Sequence, residues 1–537
     1  MSSTLPPDGP SGPGTPEYLQ QGSDAQGPGR RPAGRTALVA GGAVAGLLVV
    51  AGGIWAATSF FSSGPQPAEA LPASTIGYAS IDLDPSGSQK IEAVKMLRKF
   101  PAFTDHVDLG IKDDIRRAIF DEIQKQSPCE GLDYDDDIEP WIGDRAAVAA
   151  VDLGEDQPSP VFVLQVSDAD AADAALKKIQ ACTTDSSTGD TAGAGGWSID
   201  GDWAVVAETD DLAQQVADEA AKASLADDKD YQHWMDEVGD TGIVNLYAAP
   251  AAGSYLADNL GGGFGPMGGT APSEATGALK NFKGMAATLR FDAGALEFEV
   301  AGDPGVDQGQ FLGGDQGDDA IASLPEDTAA AIGASFGKGW FSGIADQLAA
   351  YSGSDMTAQE FLDDMSQQSG LDLPDDVETL VGDSIAVSIG SDFDPETFFN
   401  STNGDGVPVA AKVKGDPSAI EAVLAKLQGQ MGTQEGAFVG SDSDGDWIAI
   451  GPDADYRKQV LDGGSLGDSA VFKDVVPDAG KASLIFFVNF DAGDGWLVKA
   501  VGDDQQTADN LEPLGGLGMS AWRDGDTSHA VLRLTTD

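Results

Sequence analysis

A series of short motifs occurs twice in this chain, in the same order, and that repetition limits the fold more than any other feature. Leu71-Pro-Ala-Ser-Thr75 opens one half and Leu324-Pro-Glu-Asp-Thr328 the other, each followed by small apolar residues. Asp136-Asp-Ile-Glu-Pro-Trp-Ile-Gly-Asp144 matches Asp375-Asp-Val-Glu-Thr-Leu-Val-Gly-Asp383, and each leads into a strand-like run. Pro160-Val-Phe-Val-Leu-Gln-Val166 matches Pro408-Val-Ala-Ala-Lys-Val413. Each precedes a helical pattern ending in Leu176-Lys-Lys-Ile-Gln180 or Leu424-Ala-Lys-Leu-Gln428. Ile199-Asp-Gly-Asp-Trp203 matches Ser443-Asp-Gly-Asp-Trp447, and both halves close on a two-strand pattern.

The repeat predicts two tandem units, 71–304 and 324–537, joined by a linker (305–323) that is rich in Gly and Asp from Gly305 to Asp319. Asp-Gly in the Asp-Gly-Asp-Trp motif suits a tight hairpin turn, because Gly tolerates positive φ. Ile111, Ile115, Ile119 and Ile123 recur every four residues, as do Ile420, Leu424 and roughly Leu427, which marks amphipathic helices between the strands. The acidic start of Asp-Asp-Ile/Val-Glu favours the positive end of a short helix, with Gly143 or Gly382 as its stop. Hairpins mixed with helices predict an α+β class, with largely antiparallel sheets and helices packed on one face.

Before the repeat, Thr36 to Phe61 carries no charge and is apolar throughout. As a helix it would span roughly 39 Å, more than the roughly 30 Å hydrocarbon core of a bilayer. Trp55, Phe60 and Phe61 lie toward one end, where interfacial aromatics belong, and Arg30, Arg31 and Arg35 flank the other. The positive-inside rule places the N-terminus in the cytoplasm and the long C-terminal part outside a single crossing of the cell membrane. A cleaved signal is the competing reading, since Ala68-Glu69-Ala70 resembles a cleavage site, but the apolar run is about twice the usual length. Gly42 and Gly46 form a G-x-x-x-G that could pair two such helices into a homodimer. Residues 1–35, dominated by Pro, Gly, Ser and Gln, lack the apolar groups to offset ordering entropy and read as a disordered tail, and 62–70 reads as a short linker.

Charge removes one class of function. The chain has 30 basic and 88 acidic residues, a net charge of -58, nearly all beyond residue 70. Such a field repels phosphates, so nucleic acid is excluded as a partner. Cys129 and Cys182 are the only cysteines, and outside a reducing compartment they are expected to pair.

Catalytic and cofactor motifs are sparse. Gly263-Phe-Gly-Pro-Met-Gly268 fits G-x-G-x-x-G, but no helix pattern follows it, so no dinucleotide or other cofactor is expected. Gly333-Ala-Ser335-Phe-Gly337 fits the G-x-S-x-G elbow, and His529 follows it, which formally permits a serine hydrolase. Alternating carboxylates at Asp133, Asp135 and Asp137, and at Asp442, Asp444 and Asp446, are the best calcium candidates. Neither stretch has the Gly and Glu spacing of an EF-hand, and capping or a hairpin turn accounts for both without a metal.

Leu71-Pro-Ala-Ser-Thr75, the Ser80-Ile-Asp-Leu-Asp-Pro-Ser-Gly87 stretch, Lys99-Phe-Pro-Ala-Phe103 and Glu139-Pro-Trp-Ile-Gly-Asp144 resemble the bacterial family known as domain of unknown function 3352. The resemblance spans most of residues 71–537 and is more specific in the first half. It implies a membrane-anchored envelope protein and brings no catalytic residues. The expected function is therefore non-catalytic: an anchored exterior that binds an envelope protein or ligand. The alternatives are the Ser335/His529 hydrolase and a binder of lipid or cell-wall precursor.

Overall fold

The computed structural model describes residues 65–537, apart from 83–87, 105–113, 187–194, 261–276, 304–315, 352–356, 431–438 and several gaps of one to three residues. The tail and the apolar run therefore lie outside the described residues, as does Gly263–Gly268. Among the described residues no helix is long and apolar enough to cross a membrane.

All the named strands join one antiparallel sheet. The first half supplies β1 (Thr75–Asp82), β2 (Ile142–Val151), β3 (Ser159–Val166), β4 (Gly196–Asp200), β5 (Trp203–Ala207), β6 (Val244–Ala248), β7 (Gly284–Asp292) and β8 (Ala295–Asp303). The second supplies β9 (Ala330–Ala334), β10 (Ser384–Ile389), β11 (Val409–Lys414), β12 (Gly440–Asp444), β13 (Trp447–Gly451), β14 (Leu484–Asn489), β15 (Leu514–Asp524) and β16 (Thr527–Thr536). Their order is β12-β13-β11-β10-β9-β14-β15-β16-β8-β7-β6-β1-β2-β3-β5-β4. Read outward from the β16–β8 pair, the two sides are the same path. The mixture of helices with one large antiparallel sheet is α+β.

Local bonds repeat along with the path. Thr75 Oγ1 donates to the Pro72 carbonyl and Thr328 Oγ1 to the Pro325 carbonyl, both at 2.7 Å. Leu225 N–H donates to the Leu71 carbonyl, as Leu466 N–H does to that of Leu324. Leu71 and Leu324 are both fully buried, so the Leu-Pro-x-x-Thr motif plugs the core just ahead of the first strand of each half.

The halves meet at β8 and β16, where Glu299 faces Val531 and Glu297 faces Arg533. Arg290 on β7 reaches Glu297 and Glu299, and Arg533 lies 3.4 Å from both Glu297 and Asp292. The Arg533 Nε contact to Glu297 is an ion pair without hydrogen-bond geometry.

Two expectations change. Helices pack on both faces of the sheet, not one. On the first face, Trp203, Val205, Ala147 and Val163 join a core with Val216, Trp234 and Leu225. On the opposite face, Ala204 and Val166 pack with Ala172, Ala175 and Leu176 of helix Ala169–Ser186. An antiparallel sheet wetted on one side alternates apolar and polar residues. These strands are apolar at both parities, so both sides need cover. Gly143 is not a helix stop either. It lies inside β2, after a short π-helical turn (Tyr134–Ile138), whereas Gly382, with φ of 65°, does end helix Asp375–Val381.

Candidate functional site

Strand register produces a continuous apolar row on the second face. From one edge to the other, direct partners run Ser441, Ile450, Ala411, Val387, Ile332, Phe486, Met519 and Leu532 through the second half. The row continues as Phe298, Leu289, Val244, Ile81, Ala146, Leu164, Ala204 and Ile199 through the first. Directly opposed residues share a face, and only Ser441, at the outer edge, is polar.

Helices cover this face unevenly. Helix Pro417–Gln430 sets Ile420 and Leu424 on Val413 and Ile448, toward one edge. Helix Ala169–Ser186 does the same toward the other. Helix Ser88–Leu97 places Ala93 and Met96 on Ile243 and Phe291. Between these covers the row lies open: Ile332 is 50% exposed, Val387 45% and Leu532 37%. Phe486, Met519 and Phe298 beside them are half-buried. Covering one such side chain would contribute roughly 1 kcal/mol, about half the value of full burial. Contiguous exposed apolar surface of this kind marks a binding face.

Four of the six acidic candidates have other partners for their side chains. Asp133 caps the π-helical turn, accepting from the N–H groups of Asp135 and Asp136. Asp135 pairs with Arg117, and Asp137 pairs with Lys178 while accepting from the Asp133 N–H at 3.0 Å. Arg117 and Lys178 hold the carboxyls of Asp135 and Asp137 below the ordinary carboxylate range. The second half repeats this arrangement: Asp376 accepts from the Asp372 N–H at 2.7 Å and pairs with Lys426 at 2.7 Å. Asp442 pairs with Arg457 at 2.8 Å, Asp444 ends β12, and Asp446 lies in the hairpin loop, its carbonyl accepting from Gly415 N–H. Among the described residues no group of three or more such side chains is arranged to hold a metal ion.

Ser335 and His529 are not brought together. Ser335 follows β9, and its N–H donates to Ser483, whose N–H donates to Ala521. His529 lies on β16 opposite Trp522 of β15. Three strand spacings, roughly 14 Å, separate the two. Ser335 is buried, and its Oγ has no hydrogen-bond partner. His529 stacks on Trp522 with ring centroids 5.1 Å apart, and its Nε2 lies 3.7 Å from Glu237. Burial holds the His529 imidazole below its ordinary pKa, although Glu237 works the other way.

The repeated path explains Ser335. One residue beyond the Ala334–Ile385 pair of β9 and β10, it corresponds through Ser384 to the place where the first half has Asp82 facing Arg145. There Arg145 Nε lies 3.6 Å from the Asp82 carboxylate, both side chains buried, and Arg145 Nη1 donates to the Pro65 carbonyl. Ser335 thus occupies the place of a buried charge. Cys129 and Cys182 form a disulfide, with Cα atoms 5.5 Å apart.

Sequence reasoning missed Val387, Ile332 and Leu532. The available signal was that strands such as Leu484-Ile-Phe-Phe-Val488 are apolar at both parities, which only a doubly covered sheet permits.

No curated protein and no solved structure matches the chain. A family model described as "Protein of unknown function (DUF3352)" matches residues 37–445. That match takes in the apolar run from Ala37 onward and both Leu-Pro motifs, and it ends at Gly445, the first loop residue of the second Asp-Gly-Asp-Trp hairpin. Since it covers well over half of the chain, the chain belongs to the DUF3352 family.

Proposed function

We propose that this chain is a membrane-tethered, non-catalytic binding protein of the cell envelope, and that its ligand lies on the uncovered apolar face of the sheet. The observation that carries this reading is the row through Val387, Ile332 and Leu532, half-exposed at the middle of a face otherwise roofed by helices. The tether reading is supported by the uncharged run from Thr36 to Phe61, by its flanking arginines and by a family match that begins at residue 37. Two tandem copies of one unit, 71–304 and 324–537, present the face, and the repeated strand order supports that division. The acidic surface keeps the exterior soluble and turns away anionic partners.

Native mass spectrometry of the full chain, extracted in a mild detergent, tests the reading. Wild type is expected to carry an apolar adduct of discrete mass that an Ile332→Asp/Val387→Asp variant loses. A bare wild-type chain, or an adduct retained by the variant, would reject it.

A further inference from the structure

We infer that the occupant of the open row is an acyl chain of a lipid drawn from the membrane that holds the protein, with a neutral or zwitterionic headgroup. This rests on the tethered-binder reading above. The first argument is the length of the tether. The packed body begins at once: Pro65 is held by Arg145, and Ala68 and Leu71 are fully buried. The apolar run ends at Phe61, so the chain between Phe61 and Pro65 can reach roughly 14 Å at most. The β2 region of the sheet is therefore held within reach of the headgroup layer. From β2, whose Arg145 holds Pro65, to β16 is five strand spacings, about 24 Å.

Size gives the second argument. From Val387 on β10 to Leu532 on β16 is four spacings, about 19 Å. One leaflet contributes half of a hydrocarbon core of roughly 30 Å, about 15 Å, so a single acyl chain laid across the strands covers most of the open part of the row. Chemistry gives the third. Val387, Ile332, Phe486, Met519 and Leu532 present no donor and no acceptor stronger than the Met519 thioether, so the row recognises hydrocarbon and not a polar ring or a peptide backbone. Charge gives the fourth: with a net charge of -58, the protein disfavours an anionic headgroup or a free fatty acid at its surface.

The test uses the full chain reconstituted in phosphatidylcholine vesicles with trace phosphatidylcholine bearing a diazirine in its acyl chain. After irradiation, cross-linked peptides are mapped by mass spectrometry. Expected are cross-links in residues 36–61 and also in the peptides carrying Ile332, Val387, Phe486, Met519 or Leu532. Ile332→Asp/Val387→Asp should lower the sheet cross-links several-fold and leave those of 36–61 unchanged. The same probe on phosphatidylglycerol should label the sheet several-fold less. Cross-links confined to 36–61 overturn the lipid assignment while leaving the tether standing. A chain that does not float with the vesicles overturns the tether. Labelling by a free diazirine fatty acid but not by the phospholipid places the source outside the bilayer and overturns the proposal. Should the double variant misfold, the wild-type map and its competition by unlabelled phosphatidylcholine decide the matter.

Discussion

At the Asp82–Arg145 pair, the two halves solve one position in two ways. The first half buries an ion pair there and uses the arginine to hold Pro65; the second has Ser335 and Ser384. Removing one member of a buried pair leaves an uncompensated charge, whereas removing both does not. Arg145→Ser alone should therefore cost roughly 3–5 kcal/mol in denaturant unfolding, and Asp82→Ser/Arg145→Ser should recover most of that loss. A double variant as unstable as the single one would disprove this account. Lys412 poses the opposite problem. It is buried, donates to the Ser323 carbonyl at 3.0 Å and lies 5.0 Å from the Trp447 ring. Burial pushes its pKa down to about 8. Between pH 8 and its ordinary value the unfolded chain binds the proton and the folded chain does not, so stability rises with pH across that window. Lys412→Met should add roughly 1–2 kcal/mol at pH 7 and flatten that rise, as followed by thermal unfolding at several pH values. An unchanged slope would assign the pH dependence to other groups.

At the level of elements, spacing was a good guide to turns and a poorer one to ends. The two-residue loops of the matched hairpins are Gly201–Asp202 and Gly445–Asp446, one residue later than the Asp-Gly pair suggests, with Gly φ of 56° and 59°. Of the isoleucines spaced by four, Ile115, Ile119 and Ile123 lie in helix Ile115–Gln126, and Ile111 lies outside the described residues. Gly143 and Gly382 are equivalent in sequence, yet only Gly382 has positive φ, because the first half winds its acidic segment into a wider π turn and enters β2 directly. The disulfide belongs to this scale, since it ties the start of that segment to helix Ala169–Ser186 across 53 residues. Closing such a loop stabilises by about 4 kcal/mol through the unfolded state. Reduction, or Cys182→Ser, should lower the denaturation midpoint accordingly. Coincident curves with and without reductant would show that the cross-link adds nothing.

For the whole molecule, the repeated motifs made the class and the two-fold path legible, because each motif is a local bond pattern: a threonine turn, a hairpin, an acidic cap paired with a helix lysine. The β8–β16 junction was not legible. Pairing between strands more than 200 residues apart leaves no periodic trace, and its Arg290–Glu297–Arg533 ladder forms only once the strands lie side by side. The open face was half legible. Both-parity apolar strands announce two covered sides, but which stretch of the row the helices leave bare depends on where each helix lands.

The β16–β8 pairing has a further consequence. Because equivalent strands meet antiparallel about the Glu299–Val531 position, the contact is the one by which two separate copies of a half would associate. A single chain makes the meeting intramolecular, at an effective concentration that short linkers set in the millimolar range. Assembly of the long sheet is thereby freed from dilution.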